Sequence, residues 1–281
     1  MGEWVKAIES GERPVYSEAD RRRNGSMVLA TATGGMLAFL ALTAFFAGLV
    51  DSMAGGGGLV SLPALLAAGV PPHFALGTNK VQSCLGTTFS TARYLRHGQV
   101  HVPIALTAAA AALTGSYGGS RVALVLPSER ISAVIPPLVV AVAVITFARR
   151  EFGVHDRFGV ARVRDYVLAA TAGLVIGFYD GFFGPGTGTF LAFAFVWLFG
   201  FGFARATGNT KLVNWASNVA AVIAFGLAAK VNWTVALAMG IANIAGNWLG
   251  AGWAIRGGAR VIKPVFGLVL ALLIIRLTLL R

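Results

Sequence analysis

Long apolar runs alternate with short polar or glycine-rich segments along this chain. Six of these runs are each about 20 residues long, which is the length of helix that crosses the ~30 Å hydrocarbon core of a bilayer. They lie at 28–50, 102–126, 131–148, 165–184, 232–255 and 261–280. The pattern therefore predicts an all-α polytopic membrane protein.

Four further apolar segments differ from these runs. Two of them, 74–95 and 204–229, carry polar residues in their first halves, which is typical of spanning helices that face protein or water instead of lipid. The other two, 59–70 and 188–201, follow glycine clusters and are too short to cross a bilayer alone. They are predicted to be re-entrant or half-helices, which gives about eight spans, or ten if the short segments cross.

The chain repeats itself at a spacing of about 130 residues. A shift of 131 places GTNK (77–80) on GNTK (208–211). A shift of 129 places GLVDSMAGGGG (48–58) on GFYDGFFGPGT (177–187). Duplicated membrane units with interrupted helices at matching positions are typical of transporters whose substrate binds where the halves meet. The predicted organisation is a cytoplasmic N-terminal tail (1–26), a first membrane repeat (27–148), a basic linker loop (149–164) and a second membrane repeat (165–281).

Composition and charge fit this class. Hydrophobic residues make up 56% of the 281 residues and charged residues 12%, far from the balance of a soluble domain. The formal net charge is +12, but the cations are dispersed among inter-helix loops, so we interpret them as topology-setting and expect no nucleic-acid partner. The tail has mixed charge and does not resemble a signal peptide. The single cysteine, Cys84, excludes an internal disulfide.

Two lysines stand in otherwise uncharged stretches of the polar spans. Lys80 and Lys211 align under the shift of 131, and each begins a polar stripe along one helix face. An ammonium inside the membrane is costly and is usually retained for a ligand or a pathway, and a cation favours an anion. The alternative is that each lysine snorkels to the interface. The residues three and seven positions further on are Ser83 and Thr87 in the first half, and Asn214 and Asn218 in the second.

Glycine-rich loops supply a second anion-binding element. Backbone that enters a short helix presents unpaired N–H groups at the positive end of the helix dipole. Asp51 and Asp180 end the spans before these loops, and each either caps the backbone, pairs with the matching lysine or carries a proton. The predicted substrate-binding residues are Gly56, Gly57, Gly58, Thr78, Asn79, Lys80, Ser83, Gly186, Thr187, Gly188, Asn209, Thr210, Lys211, Asn214 and Asn218, with Asp51 and Asp180 as candidates for proton coupling.

Sequence motifs of enzymes are missing from the chain. There is no H-E-x-x-H, G-x-S-x-G, C-x-x-C or complete P-loop, and the four histidines have no metal-like spacing. We therefore expect no catalytic residue, metal or cofactor, and an intramembrane enzyme is the least favoured alternative. A channel is a better one, because glycine-rich re-entrant segments also build selectivity filters.

The two halves also resemble a known family. The segments GLVDSMAGGGGLVSLPALLAAGVPPHFALGTNK and GFYDGFFGPGTGTFLAFAF, the latter followed by GNTKLVNWASN, are similar to the half-motifs of the sulfite exporter TauE/SafE family. The resemblance covers both halves, without the tail and the central loop. It implies a multi-pass permease of the bacterial inner membrane that exports a sulfur-containing anion such as sulfite or an organosulfonate. The expected partners are that anion, protons and the lipid bilayer, with a homodimer left open.

Overall fold

The computed structural model of this protein describes residues 34–131 and 156–257, with residues 133 and 137 in addition. The described residues form eight α-helices and no strand. The tail and the runs at 131–148 and 261–280 lie outside the described residues, apart from three positions at the start of the first run. The helices are α1 (Gly34–Ala54), α2 (Gly58–Ala67), α3 (Pro72–Arg96), α4 (Val102–Val125), α5 (Val163–Phe182), α6 (Thr187–Phe199), α7 (Phe203–Leu227) and α8 (Trp233–Gly257).

Helix α1 continues four residues beyond the predicted end of its apolar run. It includes Asp51, and it ends where Gly55 leaves the helical conformation with a φ of +77°. Helix α5 begins two residues before its predicted start, because the backbone N–H of Arg162 donates to Asp165 Oδ2 at 2.8 Å and closes the first turn. The end of the basic segment 149–164 is therefore helical. The other predicted spans agree with their helices within two residues.

Two of the helices are short, as the sequence predicts. Helix α2 has 10 residues and α6 has 13, so they are about 15 Å and about 20 Å long at ~1.5 Å per residue. Neither length reaches across a bilayer core of about 30 Å. Helix α6 is bounded by Gly186 and Gly200, whose φ angles of +83° and +74° are open to glycine at little cost.

Helix starts recur at the two spacings that the sequence shows. Helices α5 and α6 begin 129 residues after α1 and α2. Helices α7 and α8 begin 131 residues after α3 and α4, and α3 and α7 both have 25 residues. The two additional residues of the second half fall between the starts of α6 and α7, where α6 is also longer than α2.

Contacts without side chains join the two groups of four helices. Helix α4 packs on α5, and α1 packs on α8. A Cβ at Gly115 or Gly119 of α4 would lie 2.2 Å or 2.0 Å from a carbonyl oxygen of α5, and one at Gly246 of α8 would lie 2.0 Å from the carbonyl oxygen of Phe45. Small residues therefore let these backbones approach closely, as in many membrane helix pairs.

Polar residues lie inside this bundle and large apolar residues lie outside. By length and composition, Gly34–Met53 and Trp233–Gly257 are each apolar enough to cross a membrane. Exposed side chains on other helices include Val175, Trp197 and Leu227, whereas α3 is buried from Ala75 to Gln82 and α7 from Ala206 to Asn214. The polar helices α3 and α7 therefore form the centre of the described structure.

Candidate functional site

The two lysines of the polar helices are buried, and each pairs with an aspartate of the other half. Lys80 Nζ lies 2.9 Å from Asp180 Oδ1, at the end of α5. Lys211 Nζ lies 2.9 Å from Asp51 Oδ2, at the end of α1. The lysine residues are only 2% and 0% exposed, so neither ammonium snorkels to the surface. The carboxylates pair with lysines as one of the sequence alternatives proposed, but across the halves.

Glycine-only contacts bring the two loops together beside these pairs. A Cβ on Gly55 would lie 2.2 Å from the carbonyl carbon of Gly188, and one on Gly188 would lie 2.4 Å from the Cα of Gly55. A Cβ on Gly184, which has a φ of +97°, would lie 2.8 Å from Lys80 Nζ. No larger residue fits at these positions without backbone movement. The loops are thus held against each other and against the lysine.

A polar cavity of about 270 Å³ lies where the loops meet α3 and α7. This volume is below the ~300–1,000 Å³ of sites for drug-sized ligands, so the cavity suits a small ion. Its lining includes nine of the predicted residues: Asp51, Gly58, Asn79, Lys80, Ser83, Asp180, Gly188, Asn214 and Asn218.

Sequence reasoning missed two residues of this lining, Gly55 and Gly184. Both follow an aspartate by four residues, align under the shift of 129 and have positive φ angles. The repeated aspartate-to-glycine spacing is the signal that could have found them. The predicted residues that do not line the cavity are Gly56, Gly57, Thr78, Gly186, Thr187, Asn209, Thr210 and Lys211.

Thr78 and Asn209 hold helix starts of the opposite half. Thr78 Oγ1 accepts a hydrogen bond from the backbone N–H of Asn232 at 3.0 Å, directly before α8. Asn209 Oδ1 accepts from the backbone N–H of His101 at 2.7 Å, directly before α4. These oxygens are engaged in packing the helices, away from the cavity lining.

Most amides at the start of the short helices are satisfied within their loops. The N–H groups of Leu59 and Val60 donate to the carbonyls of Gly56 and Gly57, and that of Thr187 donates to Gly184. Among the described residues, the N–H groups of Gly58 and Gly188 have no acceptor, and both glycines line the cavity. One free donor from each loop is therefore available, fewer than the glycine-rich sequences suggested.

Side-chain amides complete the lining. Asn79 Oδ1 accepts from Ser61 Oγ at 2.6 Å and from Gln82 Nε2 at 2.8 Å, which leaves the amide NH₂ group as the donor for a ligand. Asn218 Nδ2 donates to the backbone oxygen of Asn214 at 2.8 Å. These bonds fix the amides before any ligand arrives, which reduces the entropy that binding would cost.

The charges of the site cancel. Two lysines and two aspartates give a formal sum of zero, so the expectation of a cationic site is incomplete. Buried ions of this kind are tolerated only when they are paired. In the described part of the chain, no three His, Cys, Asp or Glu residues lie close enough together to hold a metal ion.

Comparisons with known proteins agree with a membrane transporter. The family profile described as "Sulfite exporter TauE/SafE" matches residues 40–277. The "Probable membrane transporter protein ORF9" of a Sinorhizobium species is 41% identical over 86% of this chain and 92% of its own length. The "Probable membrane transporter protein YfcA" of Escherichia coli K12 is 35% identical over 85% of this chain and 88% of its own length.

A "Probable membrane transporter protein" of Haemophilus influenzae is 31% identical over 82% of this chain and 89% of its own length. No solved structure matches the chain. The names of these relatives state membrane transport and give no substrate or direction. Because the family profile and the relatives all cover most of the chain, this protein belongs to the sulfite exporter TauE/SafE family of membrane transporters.

Proposed function

We propose that this protein is a secondary transporter that moves a small sulfur-containing anion, sulfite or an organosulfonate, outward across the bacterial inner membrane. The observation that carries the proposal is the pair of crossed Lys–Asp contacts beside a small polar cavity. Intramembrane charges are costly and are usually kept for a transport pathway. The family name supports the sulfur-containing anion and the outward direction.

The transporter is built from two homologous repeats, α1–α4 and α5–α8, in this proposal. The recurring helix starts support the duplication, and so do pairs of contacts at equivalent positions. A Cβ on Gly77 would lie 2.1 Å from the carbonyl oxygen of Lys230, and one on Gly208, 131 residues later, would lie 1.9 Å from that of Gln99. Matched contacts across the halves are what an internal repeat with an approximate two-fold axis produces.

Anion binding follows from the groups around the cavity. Sulfite and sulfonates present three oxygens, which accept hydrogen bonds from N–H and O–H donors. The donors are the amides of Gly58 and Gly188, the NH₂ group of Asn79 and the hydroxyl of Ser83. Lys80 and Lys211 supply the charge, but each already has a carboxylate partner. The anion therefore competes with a carboxylate for its lysine.

The proposal is tested by flux measurements on the purified protein in liposomes. Radiolabelled sulfite, thiosulfate, sulfoacetate, taurine and sulfate are compared for uptake and for exchange against the same unlabelled anion. We expect saturable uptake of at least one sulfur oxyanion or sulfonate and acceleration by the unlabelled anion on the other side. Linear conductance without exchange acceleration would indicate a channel instead. Absence of saturable flux for all five anions contradicts the proposed substrate class.

A further inference from the structure

Charge balance sets a condition on anion binding in this site, if the proposed function holds. The two lysines and two aspartates sum to zero, so an added monoanion leaves one uncompensated negative charge in a buried cavity. Uncompensated buried charge is unfavourable, and a group in such a place usually changes its protonation state instead. A single proton on one of the two carboxylates restores neutrality.

The two aspartates differ in how firmly they are held. Both carboxylate oxygens of Asp180 are engaged: Oδ1 with Lys80 at 2.9 Å, and Oδ2 with the hydroxyl of Ser217, which donates at 2.6 Å. Ser217 is fixed in turn, because its backbone oxygen accepts from Ser116 Oγ at 2.6 Å. The side chain of Asp180 is 3% exposed. Releasing this carboxylate would therefore break two bonds to an ionised group.

Asp51 is held by one oxygen only. Its Oδ2 accepts from Lys211 at 2.9 Å, whereas Oδ1 has no hydrogen-bond partner among the described residues. The side chain of Asp51 is 12% exposed, and the residue lines the cavity. Lys211 also donates to the backbone oxygen of Asp51, so the ammonium keeps a partner when the carboxylate leaves.

Packing explains why the first half has no counterpart of Ser217. The equivalent position, 131 residues earlier, is Gly86. A Cβ there would lie 1.8 Å from Asn243 Oδ1 and 2.4 Å from Asn247 Nδ2. The two asparagines fill the space that a serine hydroxyl would need. Their own equivalents in the first half are the smaller Ala112 and Ser116, which leave room for Ser217.

We propose that Asp51 is the proton-carrying residue of the transport cycle, and that Ser217 is a positioning residue which keeps Asp180 as a fixed counter-ion of Lys80. A proton passes from water on the entry side to Asp51 Oδ1, where an O–H bond forms. The ion pair with Lys211 opens, and the ammonium becomes the counter-charge of the anion. On the exit side the proton returns to water with the anion, and the ion pair forms again.

The surroundings of Asp51 contain few other groups that could take this proton. Among the described residues, the charged or titratable groups around Asp51 are Lys211 from α7, Lys80 from α3, Asp180 from α5 and Tyr94 from α3. The hydroxyl of Tyr94 donates to the backbone oxygen of Ser52 at 2.9 Å. The lining residues from α2 and α6, Gly58 and Gly188, are neutral. Asp180 is thus the alternative proton carrier, and Ser217 separates the two.

The test counts protons taken up when an anion binds. Sulfite, corrected for its own titration, and methanesulfonate, which has no titratable group near neutral pH, are titrated into purified full-length protein in buffers of different ionisation enthalpy. We expect about one proton per bound anion in the wild type and an affinity that changes about tenfold per pH unit. In Asp51→Asn we expect anion binding with no proton uptake, whereas His101→Asn, outside the cavity, keeps the wild-type count.

Ser217→Ala tests the positioning role, because it leaves all four charges in place. We expect the double variant Asp51→Asn with Ser217→Ala to regain proton uptake, now on Asp180. Proton uptake that survives Asp51→Asn but disappears in Asp180→Asn overturns the proposal, as does wild-type binding without proton uptake. If Asp51→Asn does not fold, an unchanged proton count and pH dependence in Ser217→Ala contradicts it. Failure of the wild type to bind either anion contradicts the proposed function as well.

Discussion

The halves of this protein match closely where helices are held together and differ where the carboxylates are held. Positions 78 and 209 carry different residues, yet Thr78 and Asn209 each accept a hydrogen bond from the backbone N–H that precedes a helix of the other half. Positions 86 and 217 also differ, and here the contacts differ too, because Ser217 donates to Asp180 whereas Gly86 has no side chain. The comparison suggests that packing constrains the halves to be alike and that the chemistry of the site requires them to be unlike.

The contact shared by both halves should show the largest effect of any single substitution. Gly55→Ala places a Cβ 2.2 Å from backbone of Gly188 and forces a φ of +77° on alanine. We expect loss of the folded protein, because overlap with backbone cannot be relieved by a rotamer change. Gly69→Ala is the matched control: its φ is +80°, but a Cβ there meets nothing within 4 Å.

That control should retain folding at a cost of about 1–2 kcal/mol from backbone conformation alone. Thermal unfolding and membrane abundance measure both variants. Equal stability of the two variants would show that the loops do not touch.

Removal of one lysine breaks the symmetry of the ion pairs. Lys80→Gln leaves Asp180 buried and unpaired, which should cost about 3–5 kcal/mol of stability, and Lys211→Gln should cost less because Asp51 faces the cavity. Either variant should weaken anion binding roughly 10- to 150-fold. Lys80→Gln with Asp180→Asn should recover stability but not affinity. Unfolding and binding curves decide, and equal costs of the two single variants would contradict the difference between the pairs.

Copying the second half into the first sharpens the comparison further. Gly86→Ser, made together with Asn243→Ala and Asn247→Ser, reproduces around Asp51 the residues found around Asp180. The new hydroxyl should hold the free oxygen of Asp51 with about 1.5–3 kcal/mol, the range for a hydrogen bond to a charged group. We expect the pH dependence of anion affinity to weaken without loss of folding. The same pH dependence as the wild type would show that this oxygen needs no release.

The smallest effect concerns the residues that precede α4 and α8. His101 Nδ1 accepts from the N–H of Ile104 at 3.4 Å, and the equivalent Asn232 Oδ1 accepts from Val235 at 3.2 Å. Burial, and secondarily the charge of Arg205, lower the pKa of His101. Since the unfolded chain then binds more protons, stability should fall as pH decreases from about 6.5 towards the pKa of the folded state.

His101→Asn keeps the cap and removes the titration, so the pH dependence of the unfolding temperature should become flatter between these values. The change should be slight, because the ring is only partly buried. An identical pH profile in wild type and variant would show that His101 contributes nothing to it.

The sequence predicted the helices better than their partners. Apolar length, the glycine clusters and the repeat located α3 and α7 within two residues, and the buried lysines identified the centre of the site. The role of Thr78 was not predictable, because its partner Asn232 lies 154 residues away. The crossing of Lys211 to Asp51, 160 residues apart, likewise depends on how the halves pack. Local pattern defines helices, whereas hydrogen-bond partners are chosen by tertiary contact.

The crossed ion pairs also set an order of events during synthesis. Lys80 cannot meet its counter-ion until residue 180 has been made, and ribosomes add about 5–20 residues per second, so the lysine waits roughly 5–20 s. During that time the first half must remain where its ammonium is hydrated. A gene cut within the segment between α4 and α5 would therefore yield two fragments that each hold one unpaired lysine and one unpaired aspartate. Such fragments should persist in the membrane only when both are produced in the same cell.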